Sequence, residues 1–75
     1  MPTIQAGKNF MVNGGNNLRV RNVSRNSVAT VVFRNNMRAN LGGNIVLEAG
    51  ETRDISLPNF AHDLFVVEGV VSVNQ

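Results

Sequence analysis

The 75-residue sequence has no cysteine, no tryptophan and no tyrosine, and it has a single histidine. Without cysteine, the chain can form neither a disulfide nor a thiolate metal site. A zinc site at His62 would need carboxylates for most of its ligands, which is uncommon. We therefore expect no metal site. We also expect self-association to supply additional buried area, because so short a chain buries only a modest core.

Long apolar runs and a leader segment are also missing. The amino-terminal stretch "MPTIQAGKNF" has no basic segment followed by an apolar run, and no window approaches eighteen consecutive apolar residues. These absences predict a protein that is not exported by a signal peptide, stays in a cytosolic compartment and has no membrane partner. Asn22-Val23-Ser24 matches the glycosylation pattern, which we interpret as coincidence because a secretory route is not expected.

Negative charge is missing from the first 47 residues, so the sequence divides into a basic part and an acidic part. That part contains only cations, namely Lys8, Arg19, Arg21, Arg25, Arg34 and Arg38. The remainder contains every carboxylate, Glu48, Glu51, Asp54, Asp63 and Glu68, against the single cation Arg53. A net charge of +2 thus combines a basic and an acidic part. The two parts can pair within one chain or head to tail between copies, and the sequence leaves both open.

The apolar residues that are present recur with a period near two, which is typical of β-strands. In "LRVRNV", Leu18 and Val20 face one way while Arg19 and Arg21 face the other. The segment "VATVVFR" is apolar on both faces, which predicts a central or doubly covered strand. Turn signals every 8–12 residues separate seven to eight such segments. We predict a single all-β domain over residues 1–75, a small antiparallel sandwich or barrel of jelly-roll or immunoglobulin-like size without a substantial helix.

Several connections carry more specific predictions. "SRNS" has a length suited to a hairpin, and "AGE" joins the candidate strands "NIVLE" and "TRDISL". Residues 44–58 resemble a segment of many small β-sandwich domains, in which a Gly-Glu-Thr turn joins two strands. This resemblance implies a fold class and no particular function. In the long break "NNMRANLGGN", Met37 and Leu41 are expected to fold back onto the core.

The carboxyl-terminal segment "LFVVEGVVSV" is strongly apolar, and we interpret it as a core strand. Its Glu68-Gly69 pair indicates either a tight turn or a bulge in one longer strand. If the segment were exposed, it would be an edge strand that pairs with other chains.

Catalytic patterns are sparse. His62 adjoins Asp63, but sequence neighbours seldom form an orienting pair, and no Gly-x-Ser-x-Gly elbow accompanies the serines. Glu48 and Glu51 flank a turn, where they are expected to be solvated. Neither phosphate-cradling glycine motif is present. We therefore expect no catalytic residue and no cofactor.

The basic part raises a second function class, a small β-barrel that binds single-stranded nucleic acid. Arginines can neutralise phosphates, and aromatic side chains can stack on bases. All four aromatics are phenylalanine. We expect Phe33 and Phe65 in the core, which leaves only Phe10 and Phe60 for stacking. This scarcity favours protein–protein contacts, for which arginine is well suited.

The sequence thus favours a non-enzymatic structural protein that functions in a symmetric assembly. The most concrete form of this hypothesis is a small bacteriophage virion component, such as a capsid cement, decoration or tail accessory protein. The expected partners are copies of itself and a larger capsid or tail protein. The expected location is the virion, assembled in the host cytoplasm. The predicted interface residues are Arg19, Arg21, Arg25, Arg34, Arg38, Glu48, Glu51 and Asp54.

Overall fold

Eight β-strands form the architecture of a computed structural model that describes residues 2–75. Within these residues no helix is present. The all-β prediction is confirmed, and the arrangement is a small antiparallel sandwich. The strands are β1 (Thr3–Gln5), β2 (Asn9–Met11), β3 (Asn17–Asn22), β4 (Ala29–Arg34), β5 (Ile45–Leu47), β6 (Thr52–Ser56), β7 (Asp63–Glu68) and β8 (Val70–Asn74).

The strands make two four-stranded sheets. Sheet A has the order β1-β8-β3-β6, and sheet B has the order β2-β7-β4-β5. All hydrogen-bonded neighbours are antiparallel. Successive strands alternate between the sheets except at β4 and β5, which pair within sheet B. This connectivity is that of an eight-stranded jelly roll.

The hairpin predicted at "SRNS" is wrong, and the "AGE" turn joins strands of different sheets. "SRNS" carries the chain from β3 in sheet A to β4 in sheet B, and "AGE" carries it from β5 in sheet B to β6 in sheet A. Turn residues specify that the chain reverses, whereas the choice of partner strand depends on which sheet buries each apolar face. A reversal between sheets therefore has the same local sequence as a hairpin.

The core lies between the sheets and is built from the inward face of each strand. Leu18 and Val20 of β3 are fully buried, while Arg19 and Arg21 point outward, as their alternation predicts. β4 lies between β7 and β5, and both of its faces are buried apart from a slight exposure of Arg34 at its end, which confirms the prediction of a central strand. Other inward side chains come from both sheets, among them Val31, Phe33, Leu47, Leu64, Val66, Val71 and Val73.

Other side chains depart from the predicted positions. Met37 is 83% exposed instead of folding back onto the core, whereas Leu41 does pack against it. Phe65 was expected in the core, but it lies half-buried on the outer face of sheet B, opposite Val32 of β4. Its period-two position decides this, because Leu64 and Val66 on either side of it face inward.

The Glu68-Gly69 pair does not form a tight turn between two paired strands, and the predicted bulge lies just before it. Gly69 is the single residue between β7 in sheet B and β8 in sheet A. A register shift lies just before it, where Thr30 pairs with Glu68 and Val31 pairs with Val66, so that Val67 is the extra residue.

Candidate interaction surfaces

The predicted interface residues fall into two groups, those that pair within the chain and those that do not. Within residues 2–75 there are three ion pairs, Arg19–Asp54, Arg34–Asp63 and Arg53–Glu51. Each joins a cation to a carboxylate of the same chain.

The Arg19–Asp54 pair lies on the outer face of sheet A, where the two residues are directly opposite on β3 and β6. The Arg19 Nε donates to Asp54 Oδ1 at 2.8 Å, and both side chains are more than half exposed. The hydrogen bond from Arg19 lowers the pKa of Asp54 below its ordinary value. Water and salt screen such an exposed pair, so it contributes little to the fold.

The Arg34–Asp63 pair lies on the outer face of sheet B and is nearly buried, with 14% and 5% of the two side chains exposed. Arg34 donates to both carboxylate oxygens, Nε to Oδ1 at 2.9 Å and Nη2 to Oδ2 at 2.6 Å. Asn9 donates a third hydrogen bond to Oδ2 at 2.9 Å. The guanidinium also lies 4.6 Å from the centre of the Phe65 ring.

These contacts set the protonation of Asp63. The hydrogen bonds from Arg34 lower its pKa; burial opposes this, and Asn9 and the charge of Arg34 add to the lowering. Sequence reasoning missed Asp63 as the shared partner of Arg34 and Asn9. Asp63 lies 29 positions from Arg34 and 54 positions from Asn9 in the chain, and only the pairing of β2, β7 and β4 brings the three residues together.

The acidic turn between β5 and β6 is internally bonded. Glu51 accepts a hydrogen bond from the backbone N–H of Glu48, and Arg53 donates two to its other oxygen, Oε2. The Glu48 amide is the main cause of a lowered Glu51 pKa, and the Arg53 hydrogen bond is the second. Glu48 and Glu51 thus lie in one turn, but Asp54 faces Arg19 instead.

Three predicted interface arginines, Arg21, Arg25 and Arg38, form no ion pair with any residue of the described chain. Arg21 lies on the outer face of sheet A, Arg25 in the connection from β3 to β4, and Arg38 in the loop from β4 to β5. Arg38 has a φ of 64°, in the left-handed region that non-glycine residues seldom adopt. The interface assignment of all eight residues stays a prediction.

The outer faces of the two sheets differ in chemistry. Sheet A presents polar and charged side chains, including Arg19, Arg21, Thr52, Asp54 and Asn74. The outer face of sheet B has five apolar side chains, which we call the apolar face: Met11, Val46 and Val67 are about half exposed, Phe65 is half-buried and Val32 is buried.

A shallow depression of about 330 Å³ lies on the sheet A side. It is open and lined by polar residues around the Arg19–Asp54 pair, namely Asn17, Arg19, Asp54, Asn74 and Gln75. Its walls contain two charges that already neutralise each other, and no further titratable side chain.

His62 and Asp63 do not form an orienting hydrogen-bonded pair in this arrangement, although the charge of His62 makes a small contribution to the lowered pKa of Asp63. No hydrogen bond joins the His62 ring to Asp63 within residues 2–75, and the Asp63 oxygens are taken by Arg34 and Asn9. Across the same residues, no three His, Cys, Asp or Glu side chains come together as metal ligands. The described chain also has no helix of the length and apolar character needed to cross a bilayer.

No protein-family model, curated protein or solved structure matches this chain. Any function must therefore be argued from the surfaces themselves.

Proposed function

We propose that this protein is a non-enzymatic structural component that functions by binding copies of itself and a larger structural protein in a symmetric assembly. The observation that carries the proposal is the apolar face on the outside of sheet B. Its side chains lie outside the core between the two sheets, which other residues fill. Exposed apolar clusters of this kind mark contact surfaces.

The most concrete form of the proposal is a small virion component of a bacteriophage, such as a capsid cement, decoration or tail accessory protein, assembled in the host cytoplasm. The jelly-roll connectivity supports it by analogy, because viral capsid domains use this fold. Fold analogy alone does not assign a function, since lectin domains and cupins share it.

The polar outer face of sheet A is suited to the larger partner. Arg21 points outward without an ion pair in the described chain, and the exposed Arg19–Asp54 pair beside it can exchange partners at little cost. Arginine supplies planar, directional hydrogen bonds to carboxylates, which suits a defined contact.

Native capture with the wild-type chain as bait tests this proposal. We expect recovery of a coat or tail protein from infected cells, and loss of that protein when the bait carries Arg19→Glu and Arg21→Glu. The double variant should fold, because both side chains are exposed. Capture that is equal for both baits would contradict a role for this face, and absence of any structural partner would contradict the function.

The second candidate is a small single-stranded nucleic-acid-binding β-barrel. Arg21, Arg25 and Arg38, which lack ion pairs among the described residues, are the observation in its favour. Phosphate contacts predict binding to a labelled oligonucleotide that weakens steeply with salt. No binding at low salt would remove this candidate.

A further inference from the structure

The turn between β2 and β3 contains the only Asn-Gly pair of the sequence, Asn13-Gly14. Each of the other eleven asparagines is followed by a residue that has a side chain. A backbone nitrogen can attack the side-chain carbonyl carbon of the asparagine before it, and a following glycine has no Cβ to hinder this approach. The pair is therefore the most reactive asparagine position of the chain.

The surroundings of the pair leave both reacting atoms free. Asn13 is exposed, and neither its side-chain amide nor the backbone N–H of Gly14 forms a hydrogen bond within residues 2–75. Other side-chain amides are hydrogen-bonded, namely those of Asn9, Asn17, Asn22, Asn26 and Asn35. At Asn13 no bond has to break at the attacking nitrogen or at the attacked carbon.

The side chain of Gln75 restrains the peptide group that contains this nitrogen. The Gln75 Oε1 accepts the N–H of Asn13 at 2.7 Å, and its Nε2 donates to the Asn13 carbonyl at 3.0 Å. The Asn13 carbonyl and the Gly14 nitrogen belong to one planar peptide group. This group must rotate for the nitrogen to approach the Asn13 side chain, so Gln75 must first release the carbonyl. Both hydrogen bonds are exposed, and such bonds open at low cost because water replaces them.

We infer that Asn13-Gly14 is a site of spontaneous deamidation and that the side chain of Gln75 sets its rate. This inference is independent of the proposed function, because it needs no partner other than water.

The reaction proceeds in two steps. The Gly14 nitrogen loses its proton to hydroxide and attacks Asn13 Cγ, and the side-chain nitrogen leaves with a proton from water as ammonia, so that a cyclic imide remains. Water then opens the imide at one of its two carbonyls and gives either aspartate or isoaspartate at position 13. The overall change consumes one water and releases one ammonia, with no oxidation or reduction.

The isoaspartate product does not fit the turn. Its main chain runs through the former Asn13 Cβ and is longer by one carbon, but Gly14 lies so close to the next loop that an added Cβ would overlap the backbone oxygen of Asn59. The N–H of Gly15 donates to the carbonyls of Leu57 and Pro58 at 3.2 and 3.1 Å. A longer chain at position 13 would displace Gly15 from both carbonyls. The aspartate product keeps the backbone length, so it should keep these bonds.

Peptide mass spectrometry of the full chain, incubated in mildly alkaline buffer, tests the site. Asn26 is the internal control, because it is also exposed but precedes Ser27 and accepts a hydrogen bond from the Ser24 hydroxyl. We expect deamidation at Asn13 to be at least about tenfold faster than at Asn26. Equal rates at the two positions would overturn the inference.

Two variants of the last strand and its end test the role of Gln75. Gln75→Ala removes both hydrogen bonds to Asn13 and should raise the deamidation rate of Asn13 about fivefold, while Asn74→Ala should change it less than about twofold. The rate at Asn26 should stay constant in both. An unchanged rate at Asn13 in Gln75→Ala, or an equal increase at Asn13 and Asn26, would overturn control by Gln75.

Hydrogen exchange of the Gly15 amide tests the effect of the product. We compare the purified isoaspartate form with the variant Asn13→Asp, which has the same added charge but the normal backbone. Exchange should be at least about tenfold faster than in the wild type for the isoaspartate form, and within about threefold of it for Asn13→Asp. Equal protection of Gly15 in the two forms would overturn the loss of contact with Leu57 and Pro58.

Discussion

Asn22 shows how a single polar residue ties the two sheets together. It is fully buried, and its Nδ2 donates to the backbone carbonyls of Ser27, Leu47 and Glu48 at 2.7, 3.1 and 3.2 Å. Its Oδ1 accepts the N–H of Ser24 at 3.0 Å. The residue therefore fixes the connection from β3 to β4 against the end of β5. Its buried, bonded amide also agrees with the interpretation of Asn22-Val23-Ser24 as a chance match.

Replacing this amide by a carboxylate tests its role. Asn22→Asp would direct an acceptor, or a negative charge, at three carbonyl oxygens, so we expect a loss of at least about 3 kcal/mol in the free energy of unfolding. Asn26→Asp in the same connection is the control, because that side chain is exposed. Urea denaturation measures both, and a similar small effect of the two changes would contradict the account.

Asp63 is the most buried of the three carboxylates with a lowered pKa, so we expect it to contribute most to the link between stability and pH. Hydrogen bonds from Arg34 lower its pKa in the folded chain below the unfolded value of about 4. The unfolded chain therefore binds more protons in acid, and the stability that the ion pair contributes is present above about pH 4 and is lost as pH falls through the folded pKa.

Substitution of Asp63 should remove that pH dependence. Asp63→Asn should lower the neutral-pH stability by about 2–3 kcal/mol, since it leaves Arg34 nearly buried without a counter-charge. Its stability should also fall less than that of the wild type between pH 5 and pH 2. The control Asp54→Asn changes an exposed pair and should keep the wild-type acid loss. Urea midpoints against pH measure this, and parallel curves for Asp63→Asn and the wild type would refute it.

At the scale of elements, the passage from β7 to β8 depends on Gly69. Its φ of 85° lies in the left-handed region, and an added Cβ would lie 2.9 Å from the Cα of Ala29. Gly42 has a similar φ of 87° but has open space around it. Alanine substitutions at the two glycines therefore distinguish the cost of the left-handed backbone, which both share, from the cost of the steric contact with Ala29, which only Gly69 has.

We expect Gly42→Ala to cost about 1 kcal/mol from the backbone conformation alone. Gly69→Ala should cost at least about 3 kcal/mol, because the methyl group also meets the β4 backbone. Thermal unfolding of both variants measures the difference. Equal losses would mean that the close approach to Ala29 does not matter.

The elements also show how far the sequence predicts the fold. Alternation in "LRVRNV" correctly predicts both β3 and the outward position of Arg19 and Arg21, because period-two patterning reflects the buried face directly. The sheet to which a strand belongs has no local signature, so the length of "SRNS" predicts a hairpin at a point where the chain passes from one sheet to the other. Arg34 could be placed at the end of its strand, but its partners depend on that sheet pairing and could not be predicted.

At the scale of the molecule, folding places residues of the basic part of the sequence next to residues of its acidic part. Antiparallel pairing brings Arg19 of β3 beside Asp54 of β6, and Arg34 at the end of β4 beside Asp63 at the start of β7. Part of the predicted interface is thereby neutralised within the chain. The asymmetry that remains is between a polar outer face on sheet A and an apolar outer face on sheet B.

That asymmetry is the basis of the account, and the solvent exposure of three valine methyl groups tests it most directly. Val23, Val46 and Val67 are 44%, 48% and 47% exposed in the single chain, so their methyl groups should respond equally to a soluble paramagnetic probe at high dilution. As the protein concentration rises, we predict that Val46 and Val67 become protected from the probe while Val23 does not. Equal relaxation of all three at every concentration would contradict self-association through the apolar face, on which the proposed function rests.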